Sequence, residues 1–206
     1  TRTATFAPGR DAARKEASKL NVPRIGVRFR LPASMNQVEY FGRGPAENYL
    51  DRNAGSMVGL YKSTAEELYF PYVRPQENGH HTDTRWVSLS TGKKGLLIQA
   101  DNTIGFNALR NSIEDFDDEE ATGLPRQWSN FTPEQVANHD EAAAKNVLRR
   151  QHHINDITPR DFVEVCVDLK QQGVAGYDSW GSRPEPAYTL PANREYNWGF
   201  TLIPLK

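Results

Sequence analysis

The sequence contains a single cysteine, Cys166, so it cannot form an internal disulfide. It has no apolar run close to the roughly 18 residues that a membrane-spanning helix needs. Its formal net charge is −1 over 206 residues, which gives no overall attraction to phosphate backbones or anionic lipids. The low net charge and the lack of a long apolar run therefore disfavour nucleic acid and membranes as partners. Because the chain opens on TRTATF and not on methionine, we expect a processed product or a piece of a longer protein.

Alternation of apolar with polar or small residues is the dominant pattern, and it is typical of strands with one buried face. It runs through residues 25–31, 163–169 and 196–202. Shorter strand candidates are VEYF, MVGLY, TRWVSL, GLLIQA and IGFNA, which glycine, proline and asparagine separate. This spacing favours antiparallel pairing and predicts an all-β sandwich. Cys166 lies within one alternating run and is predicted to pack as a small apolar side chain, not to act as a nucleophile.

One short helix is predicted in the middle of the chain. Thr132 can cap it, Pro133 suits its first position and Gln135 completes a capping box. The N-terminal DAARKEASKL has helical propensity without apolar periodicity, so helix, strand and disordered arm all stay open there. We therefore divide the chain into an N-terminal arm, residues 1–21, and a sandwich domain, residues 22–206.

The segment FGRGPAENYLDR is dense in charged residues and glycines. Its glycine spacing does not match a phosphate-binding loop. We expect its charged side chains to form an arginine–carboxylate network that holds a loop beneath a sheet, in preference to binding a ligand. The residues predicted to play this structural role are Arg43, Glu47, Asp51 and Arg52.

Metal-binding and catalytic motifs are incomplete in this sequence. His80, His81 and Asp83 could ligate zinc, as could His152 and His153, but no HExxH or CxxC partner accompanies them. The acidic run IEDFDDEEATG lacks the ligand spacing of a calcium loop. No nucleophile elbow is present. We therefore predict no metal and no cofactor, and the residues alone define no complete active site.

The stretch GYDSWGSRPEP places Trp180 among glycines, prolines and small polar residues, where a loop is predicted. A buried tryptophan stabilises a core by about 2–3 kcal/mol, so a loop position calls for an explanation. Trp180 either covers the end of the sandwich or contacts a ligand.

Four segments together resemble the C-terminal domain of bacterial β-galactosidases of glycoside hydrolase family 2. They are VEYFGRGPAENYLDR, YFPYVRPQENGHHTDTRW, FTPEQVANHDEAAA and DLKQQGVAGYDSWG, and the resemblance spans residue 22 to the C-terminus. It implies an antiparallel β-supersandwich similar to galactose mutarotase. It also implies that both catalytic glutamates of a retaining mechanism lie on a separate TIM barrel, so this chain alone is expected to be inactive.

The resemblance also implies roles for individual residues. Trp180 occupies the position of a tryptophan that forms an apolar platform for the aglycone sugar, with Asp178 and Ser179 beside it. Weaker candidates, which would line the concave face or a domain boundary, are Glu77, Asn78, His80 and Arg85. The implied partners are the TIM barrel and other domains, a β-galactoside substrate and further copies of the full enzyme. A free-standing carbohydrate-binding module of the same fold is the alternative.

Two departures from the family pattern affect this region. Ala175, Gly176 and Tyr177 stand where the family commonly has Gly-Gly-Asp, so an aromatic side chain replaces a carboxylate in the loop. Leu50 replaces a proline in the GRGPxENYPDR segment. Both changes alter loop residues and leave Asp178, Ser179 and Trp180 in place.

Overall fold

The computed structural model describes residues 2–6, 20–116, 154–178 and 181–206, and for residues 2–6 it describes the backbone only. The strands of this part of the chain are β1 (Arg2–Phe6), β2 (Arg24–Pro32), β3 (Gln37–Gly44), β4 (Met57–Thr64), β5 (His81–Ser90), β6 (Gly95–Leu109), β7 (Phe162–Gln171) and β8 (Tyr196–Leu205). Every pairing between these strands is antiparallel. The antiparallel all-β prediction is therefore confirmed.

Helical structure within the described ranges is confined to short 3₁₀ turns, at Ile113–Phe116, Ile154–Asp156 and Pro186–Tyr188. The helix predicted around Thr132 lies outside the described residues, as do His152 and His153. Among the residues that can be described, we find no helix with the length and apolarity needed to cross a membrane.

The longest strand, β6, organises the sheet. One edge of β6 pairs with β5, which is followed by β3 and then β4. The other edge pairs with β8 over residues 95–100 and with β7 over residues 105–109. Strand β1 then adds to β8, and β2 adds to β7. The sheet therefore divides into two branches, β8 with β1 and β7 with β2, and both branches pair with the same edge of β6.

The sequence suggests two strands, GLLIQA and IGFNA, where the structure has the single strand β6. Asp101 and Asn102 separate the two runs and read as a break, but both side chains are exposed and the strand continues through them. Register shifts in the pairing with β5, on either side of Thr84, accommodate this irregular region without a reversal of the chain.

The apolar faces of both branches enclose one core. Val163, Val165 and Val167 of β7 pack in the same buried cluster as Phe106 of β6 and Phe200 of β8. Other fully buried members come from β3, β5 and β6, and they are Val38, Tyr40, Val87, Leu89, Ile98, Ile104 and Ala108. The core therefore spans the point at which the sheet divides.

Strand β7 is buried on both faces, and here the prediction of one buried face was wrong. Its second face carries Glu164, Cys166 and Asp168, each at most 3% exposed. Three arginines of β2 lie against its carboxylates: Arg24 pairs with Asp168, and both Arg28 and Arg30 pair with Glu164. Cys166 is a buried free thiol, and burial raises its pKa to about 12, so the thiol stays protonated.

Core packing around Phe106 generates a stability prediction. Its ring is fully buried and lies 5.0 Å, edge on, from Tyr40. We expect Phe106→Ala to lower the free energy of unfolding by about 3–5 kcal/mol, because it leaves a cavity. The half-exposed Phe41 supplies the control, and Phe41→Ala should cost about 1 kcal/mol or less. Denaturant unfolding of the two variants tests this. Equal decreases in the free energy of unfolding would contradict the placement of Phe106 in the core and of Phe41 at the surface.

Candidate functional site at the loop after β7

Three segments that lie far apart in the sequence meet at one end of the sheet. They are residues 43–53, which run from the end of β3 into the turn after it, residues 77–83, which include the start of β5, and residues 172–182, which follow β7. Side chain to backbone hydrogen bonds join the first segment to each of the other two. The loop contains the position of Trp180, although Ser179 and Trp180 themselves lie outside the described residues.

Glu47 joins the first segment to the second. Its Oε2 accepts hydrogen bonds from the backbone N–H of Gly79 at 2.7 Å and from the hydroxyl of Tyr49 at 3.3 Å. Its Oε1 accepts from Arg52 Nη2 at 2.9 Å and from the hydroxyl of Tyr72. The carboxylate is 7% exposed, and its hydrogen bonds to charged and neutral donors compensate for the loss of solvent.

Asn48 makes a second connection, which the sequence analysis did not single out. Its Oδ1 accepts hydrogen bonds from the backbone N–H of Thr82 at 2.9 Å and from the Thr82 hydroxyl at 2.6 Å. Its Nδ2 donates to the carbonyl oxygens of Arg43 and Ala46, both at 3.1 Å. Asn48 is fully buried, and composition gives no sign of this because asparagine is usually exposed.

Arg43 lies at the side of this region that is nearer to β4. Its Nε lies 2.5 Å from Asp83 Oδ2, and its Nη1 donates to the carbonyl oxygens of Ser56 at 2.9 Å and Asn53 at 3.3 Å. These bonds close the turn between β3 and β4. Arg43, Glu47 and Arg52 therefore all lie in a network that connects loops.

Asp51 contacts the loop after β7 directly. Its Oδ1 accepts a hydrogen bond from the backbone N–H of Val174 at 3.1 Å, and its Oδ2 accepts from that of Ala175 at 2.7 Å. The Tyr177 hydroxyl lies 3.5 Å from the same Oδ2. A Cβ on Gly173 would lie 2.5 Å from Asp51 Cγ, so only glycine permits this close approach.

The loop has an unusual backbone conformation on both sides of positions 179 and 180. Ala175 has a φ of 54°, and Gly176 and Gly181 have φ values of 81° and 83°. Tyr177 N–H donates to Ser182 Oγ at 2.9 Å, and Ser182 N–H donates to Asp178 Oδ1 at 3.3 Å. Asp178, which the sequence predicts as a substrate contact, thus helps to join the residues before position 179 to those after position 180.

A buried polar network lies at the base of this loop, where β7 ends. Arg24 Nη2 donates to Gln171 Oε1 at 2.5 Å, to Asn107 Oδ1 at 2.8 Å and to Glu77 Oε1 at 3.2 Å. Arg24 Nε lies 3.1 Å from Asp168 Oδ2 as an ion pair, without the alignment of a hydrogen bond. The arginine thereby links strands β2, β6 and β7 to the segment before β5.

His80 belongs to the same network. Its Nδ1 lies 2.8 Å from Asn107 Oδ1, so Nδ1 carries the hydrogen, and its ring stacks on Tyr49 at 5.6 Å. Burial and the nearby charge of Arg24 lower the pKa of His80 to about 3, which keeps it neutral. Burial raises the pKa of Asp168 to about 7; the charge of Arg24 opposes this shift and the charge of Glu77 adds to it.

The structure brings Glu77, Asn78 and His80 together and leaves Arg85 elsewhere. Asn107 Nδ2 donates to Asn78 O at 2.6 Å and to Glu77 Oε1 at 3.2 Å, which joins both residues to the network. Arg85 lies on the exposed side of β5, where its guanidinium lies 5.6 Å from the ring centre of Phe41. The network residues that the sequence analysis missed are Arg24, Asn107, Asp168 and Gln171, which no local motif marks.

The described polar groups of this network bond to one another and hold neighbouring segments together. The cavity beside the network is about 10 Å³, which is room for about one water molecule. Glu77 and Asp168 both face Arg24. Within the described ranges, no group of three or more histidine, cysteine or acidic side chains is arranged to hold a metal ion.

Comparison with known proteins finds a matching family and several related sequences. The family model described as beta galactosidase small chain matches residues 3–202. The β-galactosidase of Priestia megaterium is 35% identical over 185 residues, which are 89% of this chain and 15% of that protein. The β-galactosidase of Vibrio cholerae is 29% identical over 181 residues, which are 88% of this chain and 14% of that protein.

A third relative matches a shorter stretch of this chain at a higher identity than the two above. The β-galactosidase of Arthrobacter sp. is 40% identical over 111 residues, which are 51% of this chain and 11% of that protein. The chain belongs to the β-galactosidase small chain family. It spans about 15% of the length of the curated relatives that it matches along most of its own length.

The buried titratable groups generate a pH prediction. His80 and His81 have pKa values lowered to about 3 and about 4, so stability that they contribute above pH 6.5 is lost as the pH falls. Asp168, with its pKa raised to about 7, has the opposite effect between about pH 4 and pH 7. Two histidines against one carboxyl leave a net loss of stability on acidification from pH 6.5 to pH 4.

We expect Asp168→Asn to make this acid loss steeper, because it removes the opposing group. The difference in slope should approach 1.4 kcal/mol per pH unit in the middle of the window, the value for about one proton. Urea unfolding of the wild type and the variant at a series of pH values measures it. Parallel profiles would mean that Asp168 keeps an ordinary carboxyl pKa.

Proposed function

We propose that this chain is the C-terminal module of a retaining β-galactosidase, which hydrolyses terminal non-reducing β-D-galactose residues. The family match over residues 3–202 supports this, as do the β-galactosidases among its curated relatives. The chain corresponds to about 15% of such a relative. We assign both catalytic glutamates and the TIM barrel to the remainder of the enzyme.

The proposed contribution of the module is a substrate platform at Trp180. One observation carries it: the Asp51 carboxylate holds the backbone of Val174 and Ala175, in the loop that continues to Asp178, Ser179 and Trp180. A pyranose ring has an apolar C–H face that stacks on an indole, while its hydroxyl groups remain hydrogen-bonded. A rigid aromatic residue loses little conformational entropy on binding. A loop is also able to extend from a rigid sandwich into the cleft of another domain.

The surroundings of Glu77 and Asp168 disfavour catalysis at the network around Arg24. A retaining glycosidase places two carboxyl groups about 5–5.5 Å apart, on either side of an open sugar site. Here Glu77 Oε1 and Asp168 Oδ2 are both occupied by the guanidinium of Arg24. The adjoining cavity of about 10 Å³ is too small for a pyranose, which also disfavours sugar binding by the isolated module at this network.

A complementation assay tests the proposal. We expect no hydrolysis of a chromogenic β-galactoside by this chain alone, and none by a β-galactosidase fragment that lacks the corresponding module. Mixing the two should restore hydrolysis, because the chain completes the substrate pocket. Hydrolysis by the purified chain alone would contradict the proposal, and tight galactoside binding by the chain alone would favour a free-standing carbohydrate-binding module.

Substitution of Trp180 in the full-length enzyme tests the platform. Trp180→Ala should raise the KM for lactose on the order of tenfold or more, since an aromatic stacking contact is lost. The KM for a small aryl galactoside, which has no aglycone sugar, should change less. Trp180→Phe keeps a stacking face and should recover part of the loss. If Trp180→Ala leaves KM and kcat unchanged for both substrates, Trp180 does not form a substrate platform.

A further inference from the structure

The carboxylate of Asp51 makes its described hydrogen bonds to the loop after β7 and none to its own segment. Oδ1 accepts from Val174 N–H, and Oδ2 accepts from Ala175 N–H and faces the Tyr177 hydroxyl. These partners lie more than 120 positions further along the chain. We propose that Asp51 is a positioning residue for the proposed platform, because it holds the backbone of the loop that carries Trp180 in sequence.

The segment that contains Asp51 is held by other residues. Glu47 bonds to Arg52 and to the backbone of Gly79, and Asn48 bonds to Thr82. None of these bonds involves the Asp51 side chain. Removal of its carboxylate therefore leaves the segment's own hydrogen bonds in place and acts on the loop.

The loop contains a backbone conformation that a partner of this kind stabilises. Ala175 has a φ of 54°, in the left-handed region that a residue with a Cβ seldom adopts, and Gly176 follows with a φ of 81°. A carboxylate that accepts from the consecutive N–H groups of Val174 and Ala175 favours this conformation over extended ones, because it provides acceptors for both donors at once.

Close packing reinforces the contact on the other side. Gly173 lies so near Asp51 that an added Cβ would be 2.5 Å from Asp51 Oδ2. Gly173 N–H also donates to the carbonyl oxygen of Tyr188 at 2.8 Å. The first residue of the held stretch is thus fixed between Asp51 and Tyr188, and the rest of the loop continues from this point.

This inference rests on the proposed role of Trp180, and a mutant cycle in the full-length enzyme separates the two. The variants are Asp51→Asn, Trp180→Ala and the double variant, with Asp101→Asn as a control at an exposed position on β6. Asp51→Asn keeps the side-chain shape but replaces one carboxylate oxygen with an NH2 group, which cannot accept a hydrogen bond from the loop backbone. The readouts are KM and kcat for lactose and for a small aryl galactoside, together with the melting temperature.

We expect Asp51→Asn to raise the KM for lactose on the order of tenfold, the effect of losing a charge-assisted hydrogen bond. kcat for the aryl galactoside and the melting temperature should match those of Asp101→Asn. The double variant should have the lactose KM of Trp180→Ala alone, because a loop without its tryptophan gains nothing from being positioned.

The remaining outcomes each overturn a defined claim. If Trp180→Ala raises the KM and Asp51→Asn behaves like Asp101→Asn, the positioning role fails and the platform stands. Additive effects in the double variant also overturn the positioning role. If Trp180→Ala leaves the KM for lactose unchanged, both the platform role of Trp180 and the positioning role of Asp51 fail. Should Asp51→Asn fail to fold, Gly173→Ala disturbs the same contact from the loop side and must give the same split between the substrates.

Discussion

The ion pair between Arg24 and Asp168 is the interaction on which this end of the molecule depends. Asp168 is 1% exposed, and a carboxyl group in that position requires a partner or a proton. Arg24 is placed beside it by the antiparallel pairing of β2 with β7, and the same guanidinium reaches Asn107, Gln171 and Glu77. Strand β7 can therefore be buried on both faces, apolar on one and polar on the other.

Burial of β7 determines where the loop after it begins. Gln171, the last residue of the strand, accepts from Arg24, and Asp51 holds the backbone three residues later. The described bonds of Glu47 and Asn48 connect the segment after β3 to Gly79, just before β5, and to Thr82, at the start of β5. The loop is thus supported from the sheet below and from a neighbouring loop at its side. Such support gives a loop the rigidity that a binding surface needs.

This organisation agrees with a module whose proposed activity is exercised in another domain. Its charged and titratable groups are used to hold loops, and burial keeps His80 neutral and the Cys166 thiol protonated. The hydroxyl of Tyr177 lies 3.5 Å from Asp51 Oδ2, the oxygen that also accepts from the N–H of Ala175.

Local patterns in the sequence predicted the fold class, because the apolar alternation in β2, β7 and β8 reflects a two-residue repeat that any strand must follow. They also indicated an arginine–carboxylate network near Arg43 and Glu47, since opposite charges that lie close in sequence can pair locally, as Arg52 does with Glu47. The sequence could not show that β6 is one strand, because its continuity depends on register shifts in the pairing with β5. Nor could it join Asp51 to Val174 or Arg24 to Asp168. Those contacts link residues more than 120 positions apart, and only the pairing of distant strands brings them within hydrogen-bonding distance.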